Sequence, residues 1–483
     1  MGYLEGIDRN QVMLLPAAVD DYVTAENPVR AIDAFVEGLK LKALKIEERQ
    51  AGEVGAPGYH PRAMLKLYLY GYLNRIRSSR ELEKAACRNL EVIWLMRQLT
   101  PDHWTINAFR RAHRKTFREV FREFNLVCGS LGLFGAELVA IDGTHMKAVN
   151  SPARNFTKAK VQEALREIDA KSEAYLRALD SADQAAARQS VSAGPDTGAE
   201  LRKKLATLEE ERKRCQELVK DLEQSETGQI SLTDPDSRML KKGGQSVVGY
   251  NAQAAVDTKH HLIVAEEVTQ EPSDWKLLEP MAVAAKESLA VETLRVVADT
   301  GYCSREQVRH CVAQGIEPNI PPKQPPADRQ GLYPVEAFRY EPEKDAYLCP
   351  NGRTLTRHSD SVRERVTYQM YYSTVACRGC PLLAQCTKGK YRKLAIAVND
   401  EAMQAMAERA RTQPELQRQR SQTVEHVFGT IKFWWGFRSF LCRGLAAVQA
   451  EFSMTALAYN FRRVLNVLGA EALLDALRAR QAA

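Results

Sequence analysis

Leu138-Val-Ala-Ile-Asp142-Gly-Thr-His145 is a short apolar run that ends on an acid, and Leu294-Arg-Val-Val-Ala-Asp299-Thr-Gly-Tyr302 ends the same way. Apolar runs of this length, bounded by turn residues, predict buried strands. Each run would deliver its aspartate at a C-terminal tip. A third acid, Glu425, lies in Thr423-Val-Glu-His-Val-Phe-Gly-Thr-Ile-Lys432, whose spacing predicts an amphipathic helix. Two strand-end aspartates in one sheet, with a helix dropping a glutamate between them, make a set of hard oxygen ligands. Phosphodiester chemistry needs such a set: two divalent cations with open positions for water and phosphate. Asp142, Asp299 and Glu425 are the candidate catalytic and cation-binding residues. Lys432 lies seven residues after Glu425, two helical turns on, so it shares that face and can reach a phosphate.

Further strands are expected at Gly249–Asp257 and His261–Thr269, joined by the hairpin-sized Thr258-Lys-His. Helices are expected over Ser273–Leu289 and Ser304–Gln314, and Glu317-Pro-Asn-Ile-Pro-Pro reads as a short extended end. This order predicts a mixed sheet with helices packed on it. Asp257, at a strand end, competes with Asp299 but falls on a different edge. Asp274 reads as a helix start, and His145 and His426 as supporting residues. Between about 150 and 240, Val161, Leu165, Ile168, Tyr175 and Leu179 keep roughly heptad spacing. After Ser192-Ala-Gly-Pro-Asp-Thr-Gly198 the spacing returns at Leu201, Leu205, Leu208, Cys215, Val219 and Leu222. An antiparallel helical hairpin follows, either a plain spacer or an arm that touches DNA or a second copy.

The chain has 483 residues, more than one ordinary core accommodates. No stretch of 18 apolar residues is present, so no membrane span is expected. Met1-Gly-Tyr-Leu-Glu-Gly-Ile-Asp lacks the basic-then-apolar order of a signal peptide. Ten cysteines without that signal read as reduced thiols or metal ligands, and a cytoplasmic setting is expected. Residues 1–135 look helical, with Pro61 and Ser78-Ser79 as helix starts and Pro101-Asp-His-Trp-Thr as a break. From Tyr59 to Arg118 there are thirteen Lys or Arg against four Asp or Glu. That asymmetry points to a polyanion, with a solvated helical face as the alternative. Arg110 and Arg111 are candidate DNA contacts on this stretch.

Taken together, Ala140-Ile-Asp142-Gly-Thr, Gly249-Tyr-Asn-Ala-Gln253, Val297-Ala-Asp299-Thr-Gly-Tyr302, and Glu425 with Lys432 in an E-x6-K arrangement resemble the DDE transposases of bacterial insertion sequences. Gly58-Tyr-His-Pro-Arg-Ala-Met-Leu-Lys-Leu and Pro101-Asp-His-Trp-Thr-Ile are similar to the N-terminal part of that group. The fuller pattern Y-x2-R-x3-E-x6-K would place Tyr at 418 and Arg at 421. The chain has Arg418 and Ser421 there, with Arg420 one place off.

The resemblance implies an α/β fold: a ribonuclease-H-like mixed sheet core (136–465), an all-α N-terminal DNA-binding domain (1–135), the helical-hairpin insertion (150–240), a small Cys-rich insertion (324–395) and a helical tail (466–483). It implies two Mg²⁺ (or Mn²⁺) ions on Asp142, Asp299 and Glu425. One would activate water or a DNA 3′-OH and the other would stabilise the leaving oxygen. It implies double-stranded DNA partners, the element's terminal repeats and its target, and a homodimer on DNA. A ribonuclease-H-like nuclease without strand transfer, and a catalytically silent DNA-binding descendant, are the alternatives.

Cys349-Pro-Asn-Gly, Cys377-Arg-Gly-Cys380 and Cys386 fit a tetrahedral structural Zn²⁺ site, against unligated thiols or an iron–sulfur cluster. In Phe433-Trp-Trp-Gly-Phe437 the aromatics are expected in the core, with base stacking by one Trp as the alternative. Arg438 and Arg443, just beyond, are candidate phosphate contacts.

Overall fold

The computed structural model describes residues 18–46, 58–188, 196–225, 228–242, 245–323, 331–363, 366–398 and 400–482. The run at Leu138 opens strand β1, Leu138–Lys147. A two-stranded ribbon follows, β2 (Asn155–Thr157) with β3 (Gln229–Ser231), then β4 (Arg238–Lys242), β5 (Gln245–Asp257), β6 (Ile263–Thr269), β7 (Leu294–Val297) and β8 (Ile316–Asn319). Six of these form one mixed sheet. Long β5 runs antiparallel to β1 on one side and to both β4 and β6 on the other. Beyond β1 come β7 and β8, both parallel to it.

Parallel neighbours need long crossovers, and helices supply them. Helix α9 in this chain's order, Leu278–Leu289, links β6 to β7, and α10, Arg305–Ala313, links β7 to β8. Strand residues alternate between faces. Val139, Ile141, Val296 and Ala298 therefore pack with α9, α10 and the Glu401–Thr412 helix. Ala140, Ala252, Ala254 and Val297 turn to the other face, against the Pro414–Gly429 and Leu445–Leu468 helices.

That second face also carries the N-terminal helices: α1 (Pro28–Glu37), α2 (Pro61–Leu73), α3 (Ser79–Arg88), α4 (Leu90–Leu95), α5 (His103–Ala112) and α6 (Arg114–Ser130). Asn27 and Asp102 cap α1 and α5, their side chains accepting from Val29 and Thr105 amides. The apolar run over 63–73 is buried almost all round, as its composition predicts. These helices share one continuous core with the sheet face and the C-terminal helices, through Leu473, Leu474 and Leu477 of Ala470–Ala482. Asn460, fully buried, ties the layers together: it donates to Asn125 of α6 and to the Ile263 carbonyl, and accepts from the Ile263 amide.

Helices α7 (Lys158–Arg188) and α8 (Asp196–Gln224) form the hairpin inserted between β1 and β5. Val161, Leu218 and Leu222 are its buried seam, extended by Leu165, Cys215 and Val219. Part of the turn-rich Ser192–Gly198 lies outside the described residues. The Cys-rich region is more than a knuckle. It holds a five-stranded antiparallel sheet, β9 (Arg339–Glu341), β10 (Ala346–Leu348), β11 (Thr354–Arg363), β12 (Val366–Tyr372) and β13 (Lys393–Val398), in chain order across the sheet. Phe338, Leu355, Tyr371 and Leu394 form its small core.

Glu266 of β6 is buried under the Leu445–Leu468 helix, accepting from Ser453 Oγ and Gln449 Nε2, with Arg118 of α6 beside it. Burial dominates and raises its carboxyl from the usual 4.5 to about 7. A raised folded-state value means the folded protein holds this proton more tightly. The associated stability is present below pH 4.5 and is lost as pH rises through 7, a change of about 3 kcal/mol at 1.36 kcal/mol per unit. Glu266→Gln is expected to flatten the denaturation midpoint between pH 4.5 and 7, which a melting series across that window measures.

Candidate active site

The pairing of β1 with β7 stops at Ala140 opposite Val297. Asp142 and Asp299 each lie two residues further on. In a parallel pair, partners and their i+2 neighbours look the same way, so the register sets both aspartates past the last paired rung. Asp142 is not at a strand tip, as its sequence suggests: β1 continues along β5 to Lys147, with Asp142 opposite Ala254. The tip belongs to β7 alone. Asp299 caps the turn Thr300–Tyr302, accepting from the Gly301 amide at 2.7 Å.

Asp142 Oδ1 accepts from the Gly143 amide at 2.8 Å, and Oδ2 faces Arg420 Nη1 at 3.4 Å. Both members of that pair are mostly shielded, with 15% and 18% of their side chains exposed. The one-place shift of the arginine thus still brings a guanidinium to the first aspartate. Tyr302, buried, donates to Gln253 Oε1. Burial, then the carboxylates of Asp274, Asp142 and Asp299, push its hydroxyl pKa well up. Asp274, expected at a helix start, does begin the turn Asp274–Lys276. Its carboxylate also accepts from both Asn251 and Gln253, at 2.8 Å each. A single sequence offers no signal for this, because the two amides sit on β5 and the acid follows β6.

The Pro414–Gly429 helix buries Thr423, Val424, Val427 and Phe428 and leaves Glu425 exposed. It then widens into a π turn, Thr430–Trp434, a distortion that recurs at functional sites. Lys432 in that turn donates to Thr144 Oγ1 at 2.8 Å and to the His145 carbonyl at 3.1 Å. Arg420 and Lys432 therefore touch β1 on either side of Glu425. Among the described residues no three His, Cys, Asp or Glu side chains stand at the spacing of one ion's ligands. Asp142 and Asp299 fall on one face of the sheet, past the last β1–β7 rung, while Glu425 is exposed on the neighbouring helix.

The aromatic run divides. Trp435 and Phe437 are buried, while Phe433 and Trp434 are 69% and 76% exposed, which alters the expectation of a core. Arg438 sits over the Phe433 ring at 5.1 Å, and its carbonyl accepts from the Lys147 amide at the end of β1, where Ser439 forms a bridge with Lys147. Arg443 and Arg111 are exposed. Arg110 turns inward instead, half-buried and bonded to Asn107, near Tyr68, Tyr72 and Glu451. The basic stretch is also less free than its composition suggests. Lys66 is buried against Asp33 and Glu37, Arg77 binds Glu451, and Arg118 binds Glu266 and Glu267. Asp257 is taken up by the Gly135, Ala136 and Lys259 amides at the far end of the sheet. His426 pairs with the Tyr459 hydroxyl.

Cys349, Cys377, Cys380 and Cys386 gather at one end of the second sheet. Burial raises the Cys386 thiol first; Arg392 lowers it, and the other three cysteines raise it further. Asn351 Nδ2 lies 3.4 Å from Cys380 Sγ. All ten cysteines are free thiols.

Residues 348–465 match the family described as Transposase DDE domain, and residues 17–112 match a second transposase domain family. The first span contains Glu425, Lys432 and the four cysteines; the second contains most of the N-terminal helices. These matches show the resemblance to insertion-sequence DDE transposases read from the motifs. Among solved structures, a piggyBac transposase synaptic complex with hairpin DNA is similar at a TM-score of 0.33 and 9% identity, over 94% of this chain and 79% of that one. No curated protein matches.

Gly143 makes room for the buried amides. A Cβ there would lie 1.9 Å from Gln253 Nε2 and 2.9 Å from Asn251 Oδ1. Neither side chain can swing away without releasing Asp274. Gly143→Ala is expected to destabilise by about 1–3 kcal/mol, as overpacking does, measured as a lowered melting midpoint.

Proposed function

We propose that this chain is a DNA transposase with a ribonuclease-H-like core, which cuts the ends of a mobile element and joins the freed 3′-OH to target DNA. The observation that carries this reading is the rung-by-rung placement of Asp142 and Asp299 beyond the β1–β7 pairing, facing the helix of Glu425. The sheet order supports the core assignment: an antiparallel hairpin half (β6, β5, β1) continued by two parallel strands (β7, β8). The matched transposase families support the class of activity.

The donors are of the type a hard divalent cation takes, since carboxylate oxygens suit Mg²⁺ or Mn²⁺ better than softer metals. Asp142, Asp299 and Glu425 would hold such ions. When bound, they activate a water or 3′-OH and stabilise the leaving oxygen. The chain's own residues do the positioning. Arg420 balances the charge of Asp142, and Lys432, fixed against Thr144, offers a cation for a phosphate beside the strand. Arg438, Arg443 and Arg111 would contact the DNA backbone. Trp434 is exposed and could stack on a displaced base, beside Phe433, whose ring carries Arg438. Cys349, Cys377, Cys380 and Cys386 are the donor type that structural Zn²⁺ takes, but among the described residues no three of them stand at the spacing of one ion's ligands. A pair of chains on two element ends is the natural assembly, acting on DNA in the cytoplasm.

The test is a cleavage and strand-transfer assay on DNA bearing the element's terminal repeats, with Mg²⁺ or Mn²⁺. Wild type is expected to nick and join, and Asp142→Ala, Asp299→Ala and Glu425→Ala to abolish both while still binding DNA. Nicking without joining would favour a nuclease, and normal cleavage by Asp299→Ala would refute the site. Trp434→Ala, being exposed, is expected to leave melting unchanged. Its binding to DNA with an unpaired base at the cut should weaken by about 1–3 kcal/mol, read in a titration.

A further inference from the structure

We infer that the α7–α8 arm is a self-association surface, on which α8 of a second copy of this chain lies antiparallel against α8 of the first. This names a contact for the pair of chains proposed above, and it stands on the arm alone.

Heptad spacing fixes which side of α8 is free. Leu201, Leu205, Leu208, Cys215, Val219 and Leu222 follow the seam toward α7. One side over, positions alternately three and four residues apart run Lys204, Thr207, Glu211, Arg214, Leu218 and Asp221. All of these but Leu218 are exposed. They border an open groove of about 710 Å³ along the same side of the arm. Glu211, Arg214 and Cys215 line it from α8, Lys171 from α7, and Phe156 and Leu232 at the root of the arm. Leu232 is 45% exposed, and Leu208 and Cys215, the seam residues next to this face, are only half covered. Two helices alone leave the rims of their seam open, and a four-helix arrangement closes them.

The charges select the occupant. Along the face, base and acid alternate: Lys204, Glu211, Arg214, Asp221. A copy laid antiparallel about a two-fold axis between Arg212 and Lys213 brings Lys204 to Asp221 and Glu211 to Arg214. Symmetry makes each pair twice, and the uncharged Thr207 falls opposite Leu218. Parallel, in-register pairing would set every one of these charges against itself. Flanking charges choose partner and orientation in helical pairs in this way. Within the chain, Lys204 pairs with Glu200, and Arg212 with Asp169 across the seam. Among the described residues Glu211, Arg214 and Asp221 enter no ion pair. A face with two acids among its four charges is poorly suited to a phosphate backbone.

Charge reversal with compensation is the test. The dissociation constant of the full chain is read by sedimentation equilibrium without DNA, with circular dichroism as the check on folding. Wild type is expected to sediment as a dimer. Glu211→Arg alone, or Arg214→Glu alone, turns two attractive pairs into two repulsive ones. Each is expected to raise the dissociation constant about 5- to 30-fold. Glu211→Arg combined with Arg214→Glu recreates both pairs with their signs exchanged, and is expected to return the constant to the wild-type value. Both positions are exposed, so the circular dichroism of all three variants is expected to match wild type. A monomeric wild type would overturn the inference, and so would single variants that associate like wild type. A double variant as weak as the singles would overturn it too, because the loss would not come from these pairs. Retained self-association with weaker binding to plain duplex DNA in Arg214→Glu would overturn it in favour of a DNA contact. None of these results bears on the strand-end carboxylates, so the transposase reading stands or falls by its own assay.

Discussion

The parallel pairing of β1 with β7, and where it stops, is the constraint from which the site follows. Three rungs hold the strands together, through Ala140 and Val297. Past that point β1 keeps its backbone bonds on the β5 side and loses them on the other. Both aspartates lie just past that point, on the same face of the sheet. A register slip of one residue would send Asp142 to the opposite face, into the packing of Ile141 with α9. The apolar residues that lock this register, Val139, Ile141 and Val296, are fully buried, so the core and the chemistry are specified by the same alternation.

Part of this was legible from sequence. The runs at Leu138 and Leu294 announce themselves because a strand covered on both faces reads as continuous apolar residues. The helix of Glu425 is legible from Val424, Val427, Phe428 and Ile431. What was hidden depends on partners distant in the chain. Gly-Thr-His-Met-Lys after Asp142 reads as a turn, yet continues as strand because β5 pairs with it. The second sheet is hidden because Thr354–Arg363 is polar on both sides and has only a small core to cover. The division of Phe433–Phe437 into open and buried rings depends on the π turn, which no spacing rule anticipates. The arginines of residues 59–118 look uniform in sequence, while tertiary contacts decide that Arg77 and Arg118 face acids and Arg75 and Arg88 face solvent.

The contacts of Arg77 explain how the N-terminal helices and the site are joined. Its guanidinium binds Glu451, accepts company from the Phe437 ring 4.0 Å away, and donates to the Ser439 carbonyl. Glu451, 1% exposed, also accepts from the Leu441 and Cys442 amides. One buried ion pair thus fixes the loop that begins with Phe433 and Trp434 and ends by pairing with β1. Buried pairs of this kind contribute specificity of arrangement as much as stability. This contact joins the helical half to the sheet half beside the end of β1.

The hairpin of α7 and α8 leaves and re-enters the sheet through the β2–β3 ribbon, whose strands lie side by side. Its base is therefore closed whatever its length. Adding or removing whole turns at the far end changes reach without changing the span the sheet must bridge, and loop-closure entropy grows only slowly with length. The arm can act as an interchangeable ruler: evolution can reset the distance it spans while the residues at its root, and the carboxylates beyond them, experience no change.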